Sequence, residues 1–150
     1  MANTYTQILY HIVFSTKNRA AVLHADRREE LFRYIWGIQQ EHQCHLYRVN
    51  GMEDHLHILT SLHPSLSLAD YMRELKSGTS RWISKEGIFP GFSGWQDGYG
   101  AFTVSMREKD AVIRYIKDQQ VHHQQTDYLY EYRHLLEEAK IQYDAQYIAG

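Results

Sequence analysis

The chain has 150 residues, a formal net charge of −2, and 43% apolar against 23% charged residues, the balance of one soluble domain, spanning 1–150, with a core of its own. No apolar run approaches the length of a bilayer span and Met1-Ala2-Asn3-Thr4 begins no signal peptide, so a membrane-free, cytoplasmic setting is expected. The single Cys44 excludes an internal disulfide and a thiolate zinc site, and reads as a small buried apolar residue.

Tyr5 to Thr16 reads as a strand in which Ile8, Tyr10, Ile12 and Phe14 alternate with Leu9, His11 and Val13. Both registers are largely apolar, the pattern of a central strand covered on both faces. Lys17-Asn18-Arg19 breaks it. Asp26 with Glu29 forms a capping-box pattern, and Leu31, Tyr34, Ile35 and Ile38 fall at helical spacing as far as about Gln43. Cys44 to Val49 is a second strand, Asn50-Gly51 reads as a turn, and a third strand from Asp54 to about Leu62 completes a hairpin. Pro64 and Ser65 end it. Ser67 with Asp70 then starts a long helix that carries Leu68, Tyr71, Met72, Leu75 and Trp82 inward and stops at Gly87.

Residues 88–100 form a loop rich in glycine and aromatics, and Ala101 to Ser105 is a short fourth strand. Ser105 and Glu108 make a second capping box, opening a helix from about Glu108 to Gln124. Thr126 caps a last helix carrying Leu129, Leu135 and Leu136 to near Lys140. The order β-α-β-β-α-β followed by helices predicts an α+β, ferredoxin-like fold: an antiparallel sheet, two helices on one face, and the first and third strands at its centre.

Charge is unevenly spread. Residues 1–85 hold ten Lys/Arg against eight Asp/Glu, and residues 86–150 hold six against ten. A nucleic-acid surface would therefore lie on the first half, around Lys17, Arg19, Arg27, Arg28, Arg73, Lys76, Arg81 and Lys85.

The third strand contains Glu53-Asp54-His55-Leu56-His57-Ile58-Leu59. On a strand His55 and His57 share one face about 6–7 Å apart, close enough to hold one metal ion, while Leu56 enters the opposite layer. With ten histidines in the chain, chance alone supplies roughly 0.7 such pairs, so the pair by itself reads equally as two hydrogen-bonded strand histidines. Further on, Tyr115 and Gln119 stand at i and i+4, on one helical face. Gln119 is a poor core residue and a workable oxygen ligand, whereas Tyr115 also fits the buried stripe of Ala111, Val112 and Ile116.

Asp54-His55-Leu56-His57 followed by Tyr115-Ile116-x-x-Gln119 resembles the single-tyrosine HUH transposases, the IS200-like enzymes that mobilise insertion sequences as single-stranded DNA. Tyr10 to Lys17, the Trp95-Gln96-Asp97-Gly98-Tyr99-Gly100 loop, His122-His123-Gln124 and Ile141 to Asp144 are similar to the same family, so the resemblance runs nearly the full chain. It implies that Tyr115 is a nucleophile forming a 5′-phosphotyrosine bond and a free 3′-hydroxyl. Rejoining then needs no nucleotide cofactor.

The resemblance also implies that His55, His57 and Gln119 hold a divalent metal, Mg²⁺ or Mn²⁺. His122, seven residues after Tyr115, is the competing third ligand. Lys17, Arg19, Arg73, Lys76 and Arg81 are expected backbone contacts, with Trp95, Tyr99 and Phe102 available for stacking. The implied partners are single-stranded DNA with hairpins at element ends and a second copy of the chain, with Tyr115 acting in cis or in trans. Two other readings remain from the sequence: a related nicking enzyme acting on chromosomal repeats, and a non-catalytic ferredoxin-like reader of single strands. The histidines on the central strands, in place of dense sheet aromatics, argue against the last.

Overall fold

A computed structural model of the chain describes residues 3–122 and 127–148, apart from the side chain of His122. Its sheet is built from β1 (Leu9–Ser15), β2 (His45–Gly51), β3 (His55–Ser61) and β4 (Gly100–Val104), in the order β2-β3-β1-β4 with every neighbouring pair antiparallel. This is the ferredoxin-like order, with β1 and β3 at the centre. Register follows the alternation of side chains. Ile12 and Phe14 of β1 and Leu56 and Ile58 of β3 enter one buried layer, and Leu9, Val13 and Leu59 enter layers on the opposite face.

The first layer is closed by α1 (Arg28–Glu41) and α2 (Leu68–Glu86), through Leu31, Ile35 and Ile38 of α1 and Tyr71, Met72, Leu75 and Ile83 of α2. Ser67 caps α2, its hydroxyl accepting from the Asp70 amide at 3.1 Å, and the helix closes at Gly87 with φ 63°, both as the sequence predicts. Entry to α1 is different. A 3-10 turn over Ala25–Arg27 precedes it without a side-chain cap, and the buried Arg28 guanidinium fixes the approach by donating to the Leu23 carbonyl at 3.0 Å.

On the other face lie α3 (Lys109–Lys117), the single turn α4 (Gln119–His122), α5 (Tyr128–Glu138) and the short α6 (Ala145–Ile148). Ile116 of α3 packs on Leu9, Leu59 and Val104, and Tyr128, Tyr132 and Leu136 of α5 pack on Val13. Gly100 makes room for α5: a Cβ there would stand 2.6 Å from Cε1 of Tyr132. Thr126, expected to cap the last helix, lies outside the described residues, and the observed cap is Asp127, accepting from the Tyr130 amide at 2.9 Å.

Two expectations are corrected together. Asn50-Gly51 is not the turn; β2 continues through both residues and the chain reverses just after them, the Met52 amide donating to the His55 carbonyl at 3.0 Å. Nor is the helix after β4 continuous, because α3 ends at Lys117, Asp118 is non-helical and Gln119 starts α4. Asn50 accounts for both. Its buried amide donates to the carbonyls of Ile116 and Lys117 at 2.9 and 3.0 Å and exchanges hydrogen bonds with the Gln120 amide at 3.2 Å. The last carbonyls of α3 thus gain a side-chain partner in place of a further turn of helix. A Cβ on Gly51 would meet the His55 carbonyl at 2.4 Å, so the glycine serves close approach of β2 to β3.

Candidate active site

β3 presents His55 and His57 on the face that α3, α4 and α5 cover, and both are completely buried. Each ring is braced at Nδ1: that of His55 lies 2.7 Å from Asp54 Oδ1, and that of His57 lies 2.8 Å from His11 Nε2 on β1. The reversal after Gly51 places Asp54 there, and the Asp54 carbonyl is tied to β1 by the Thr16 amide at 2.9 Å. Both Nε2 atoms turn toward one carboxylate. Glu131 Oε1 is 2.9 Å from His57 Nε2 and 3.4 Å from His55 Nε2.

Although a break separates them, Tyr115 and Gln119 reach the same cluster. Gln119 is fully buried, its amide oxygen 3.2 Å from His55 Nε2 and its amide nitrogen donating to Glu131 Oε2 at 3.2 Å. The Tyr115 hydroxyl donates to Glu131 Oε2, and its ring stands edge-on to His57 with centroids 5.8 Å apart. His122, the competing ligand, has its side chain outside the described residues.

Sequence reasoning missed Glu131 and His11. Glu131 left a readable trace. It stands three residues after Tyr128 and one before Tyr132, on the buried stripe of α5, where a carboxylate demands partners. Among the described residues two imidazoles, an amide and a phenol supply them. His11 was hidden by lying on a strand apolar in both registers, and it is 4% exposed.

The electrostatics follow from that packing. Burial, and then the neighbouring His57, pull His11 down to about 3, so it is neutral at ordinary pH. Burial also opposes charge on His55, but Asp54 and Glu131 outweigh it and raise the ring above its usual value. The Tyr115 phenol is raised well above the ordinary tyrosine value, by burial first and then by the Glu131 carboxylate.

Residues 4–119 match the family model described as "Transposase IS200 like". The chain belongs to the IS200-like transposases. It is 26% identical over 119 residues to the ISDra2 transposase TnpA of Deinococcus radiodurans, covering 75% of this chain and 84% of that protein. Among solved structures, a candidate transposase from Deinococcus radiodurans R1 superimposes with a TM-score of 0.60 at 25% identity, over 79% of this chain and 96% of that one. A REP-associated tyrosine transposase bound to a REP hairpin shares the fold, with a TM-score of 0.60 at 14% identity, over 82% of this chain and 74% of that one.

The donor set of this IS200-like transposase fits a divalent cation. One nitrogen from each of His55 and His57 and one oxygen from Glu131 lie within 4.8 Å of one another, and all three residues are buried. Donors about 2.1 Å from one ion stand about 3 Å apart along the edges of its shell, comparable to the 2.9 and 3.4 Å between Glu131 Oε1 and the imidazoles. The Gln119 oxygen, 3.2 Å from His55 Nε2, has the same spacing. Two imidazoles with two oxygens make a mixed nitrogen and oxygen donor set of the kind divalent cations take.

The cations and rings expected to meet DNA are dispersed in the transposase. Arg73, Lys76 and Arg81 all lie on α2, across the sheet from Tyr115. Arg73 pairs with Asp70 at 2.9 Å, and the half-buried Lys76 ammonium donates to the Gln96 and Gly98 carbonyls at 2.8 and 2.5 Å. Lys17 and Arg19 follow β1, and Lys17 lines a cavity of about 490 Å³ with Trp95, Gln96 and Tyr147. Trp95 faces inward, donating to Thr79 Oγ1 at 2.9 Å and packing on Phe14. Tyr99 lies beneath the Lys76 ammonium and Phe102 beside His11.

Proposed function

We propose that this transposase cleaves and rejoins single-stranded DNA through a covalent 5′-phosphotyrosine at Tyr115, in a reaction that depends on a divalent metal held by His55, His57 and Gln119 with Glu131. The observation that carries the proposal is the meeting of a tyrosine hydroxyl with two imidazoles, an amide and a carboxylate in one buried cluster, from elements far apart in sequence. A non-catalytic reader of nucleic acid has no use for such a costly arrangement of buried polar groups.

The Tyr115 oxygen attacks phosphorus and the 3′-oxygen leaves. Glu131 Oε2, already accepting the hydrogen bond from that hydroxyl, is the atom placed to take the proton and to return it to the departing 3′-oxygen. When bound, a divalent ion supplies Lewis-acid charge against the phosphate oxygens. Gln119 and the braced imidazoles fix the donors in advance, so little rearrangement is required when substrate arrives. Because the phosphotyrosine conserves the energy of the cleaved ester, the released 3′-hydroxyl or another end can displace Tyr115 and reseal the strand.

Lys17 and Arg19 serve as backbone contacts next to the site, and Arg73 and Arg81 meet only DNA that continues around to the α2 face. A homodimer and hairpin substrates belong to the same proposal. The hairpin bound to the REP-associated relative suggests the form of the probe, and it favours a second reading within the same chemistry, action on chromosomal repeats. Hairpins from element ends and from repeats, compared side by side, separate the two.

The test is a labelled single-stranded hairpin incubated with protein and Mn²⁺ or Mg²⁺, then resolved under denaturing conditions. A covalent adduct is expected, absent in Tyr115→Phe and after chelation. An adduct that persists in Tyr115→Phe removes the proposed nucleophile.

A further inference from the structure

His11 is a buried histidine with no place in the chemistry so far. Its Nε2 lies 2.8 Å from His57 Nδ1, and the two rings stack with centroids 5.1 Å apart and planes inclined at 27°. The contact crosses from β1 to β3, where Val13 is the register partner of His57 and His11 that of Leu59. The odd residues of both strands share a face, which brings His11 diagonally against His57. Phe102 and Tyr115 enclose the ring, with centroids 6.2 and 6.1 Å away.

Consider what each imidazole must do to serve as a ligand through Nε2. That nitrogen offers its lone pair, so the one ring proton of the neutral form stands on Nδ1 and requires an acceptor. For His55 the acceptor is Asp54 Oδ1, at 2.7 Å. For His57 the atom in that position is His11 Nε2. With a cation on His57 Nε2, His11 accepts there only with its own proton on Nδ1, so the pair runs His57 Nδ1–H to His11 Nε2; with the Glu131 carboxylate 2.9 Å from Nε2 and no cation, the proton stands on His57 Nε2 and the direction reverses.

We infer that His11 is a positioning residue that holds His57 in the Nδ1–H tautomer and leaves its Nε2 to a divalent cation. The inference rests on the metal reading above and deepens it. The two ligand histidines are then braced unequally, His55 by a carboxylate and His57 by a neutral ring. The carboxylate brace makes His55 the more strongly donating ligand, and His57 is held by orientation with no added charge. A merely space-filling ring would make no demand on which atom stands at that position. The tautomer requirement does.

The test uses the full chain without DNA, so that turnover plays no part. Mn²⁺ affinity is measured by calorimetry for wild type, His11→Leu, which keeps an apolar volume and removes the acceptor, and His11→Gln, whose amide oxygen can accept in the same place. His11→Leu is expected to weaken Mn²⁺ binding about 10- to 100-fold, the usual effect of losing a ligand's hydrogen-bond partner, and His11→Gln to stay within about threefold of wild type. Equal affinity in wild type and His11→Leu overturns the inference alone, as does equal weakening in Leu and Gln. A wild type that binds no Mn²⁺ overturns the metal reading and this inference with it. Should His11→Leu fail to fold, nitrogen NMR of the Zn²⁺-loaded wild type decides: His11 must carry its proton on Nδ1 and leave Nε2 to accept from His57, and a proton on His11 Nε2 sinks the assignment.

Discussion

The hydroxyl of Tyr115 donates its hydrogen bond to Glu131, a carboxylate that the same fold holds against His55 and His57. One oxygen of Glu131 faces the imidazoles and the other faces the phenol and Gln119. The carboxylate therefore connects a would-be nucleophile to the donors that would hold a metal.

Glu131→Gln keeps the volume and removes the base. Single-turnover formation of the covalent adduct should slow by about 10² to 10⁴, the usual contribution of a positioned general base, while the far-ultraviolet circular dichroism stays that of wild type. A rate within threefold of wild type would exclude Glu131 as proton acceptor.

Asn50 joins the edge of β2 to the break between α3 and α4, and so sets where Tyr115 and Gln119 stand. Asn50→Ala leaves the carbonyls of Ile116 and Lys117 without this donor and removes both hydrogen bonds to Gln120. We expect a loss of about 1–3 kcal/mol in urea unfolding, together with adduct formation slowed at least tenfold at saturating DNA. Unchanged kinetics with reduced stability would make Asn50 a purely structural clasp.

Gly100→Ala tests the seating of α5. The added methyl would stand 2.6 Å from Cε1 of Tyr132 and 3.2 Å from the Phe102 ring. Overpacking of this kind costs about 1–3 kcal/mol, or a melting-temperature drop of roughly 2–4 °C per kcal/mol for a chain of this size. A melting curve that superimposes on wild type would show that α5 yields freely.

Burial raises Tyr71, Tyr115, Tyr128 and Tyr132 above the ordinary phenol value, with Glu131 adding to the effect on Tyr115 and Tyr128. Their folded forms keep protons that the unfolded chain surrenders above about pH 10. Stability contributed by these phenols is therefore complete below that pH and declines as pH rises beyond it. Absorbance at the tyrosinate band should show a late step coincident with loss of circular dichroism. Complete ionisation of all twelve tyrosines before unfolding would contradict their burial.

Local pattern carried much of the architecture. Two apolar registers marked β1 as a strand covered on both faces, Ser67 and Gly87 bracketed α2, and Ser105 with Glu108 formed the capping box read from their spacing. The failures were local rules overruled from a distance. Asn50-Gly51 has turn chemistry, yet the Asn50 amide is consumed by α3 carbonyls 66 and 67 positions away. The helical pattern from Glu108 onward shows no interruption at Asp118 because the cause of the break lies on β2. Glu131 looked like one more acidic residue near the end of a helix, and only the assembled sheet put His55 and His57 beneath it.

By itself, the sequence determined the order of strands and helices, the shared face of His55 and His57, and the family resemblance carried by Tyr115 and Gln119. Those are consequences of period and residue type, which act over a few positions. Tertiary structure alone decided that Glu131 closes the cluster, that His11 and Asp54 brace the two imidazoles, and that Lys76 supports a loop from within. Each of these depends on a buried polar group finding its partner across the sheet or between layers, a demand set by desolvation and met by residues 20 to 76 positions away as well as by near neighbours.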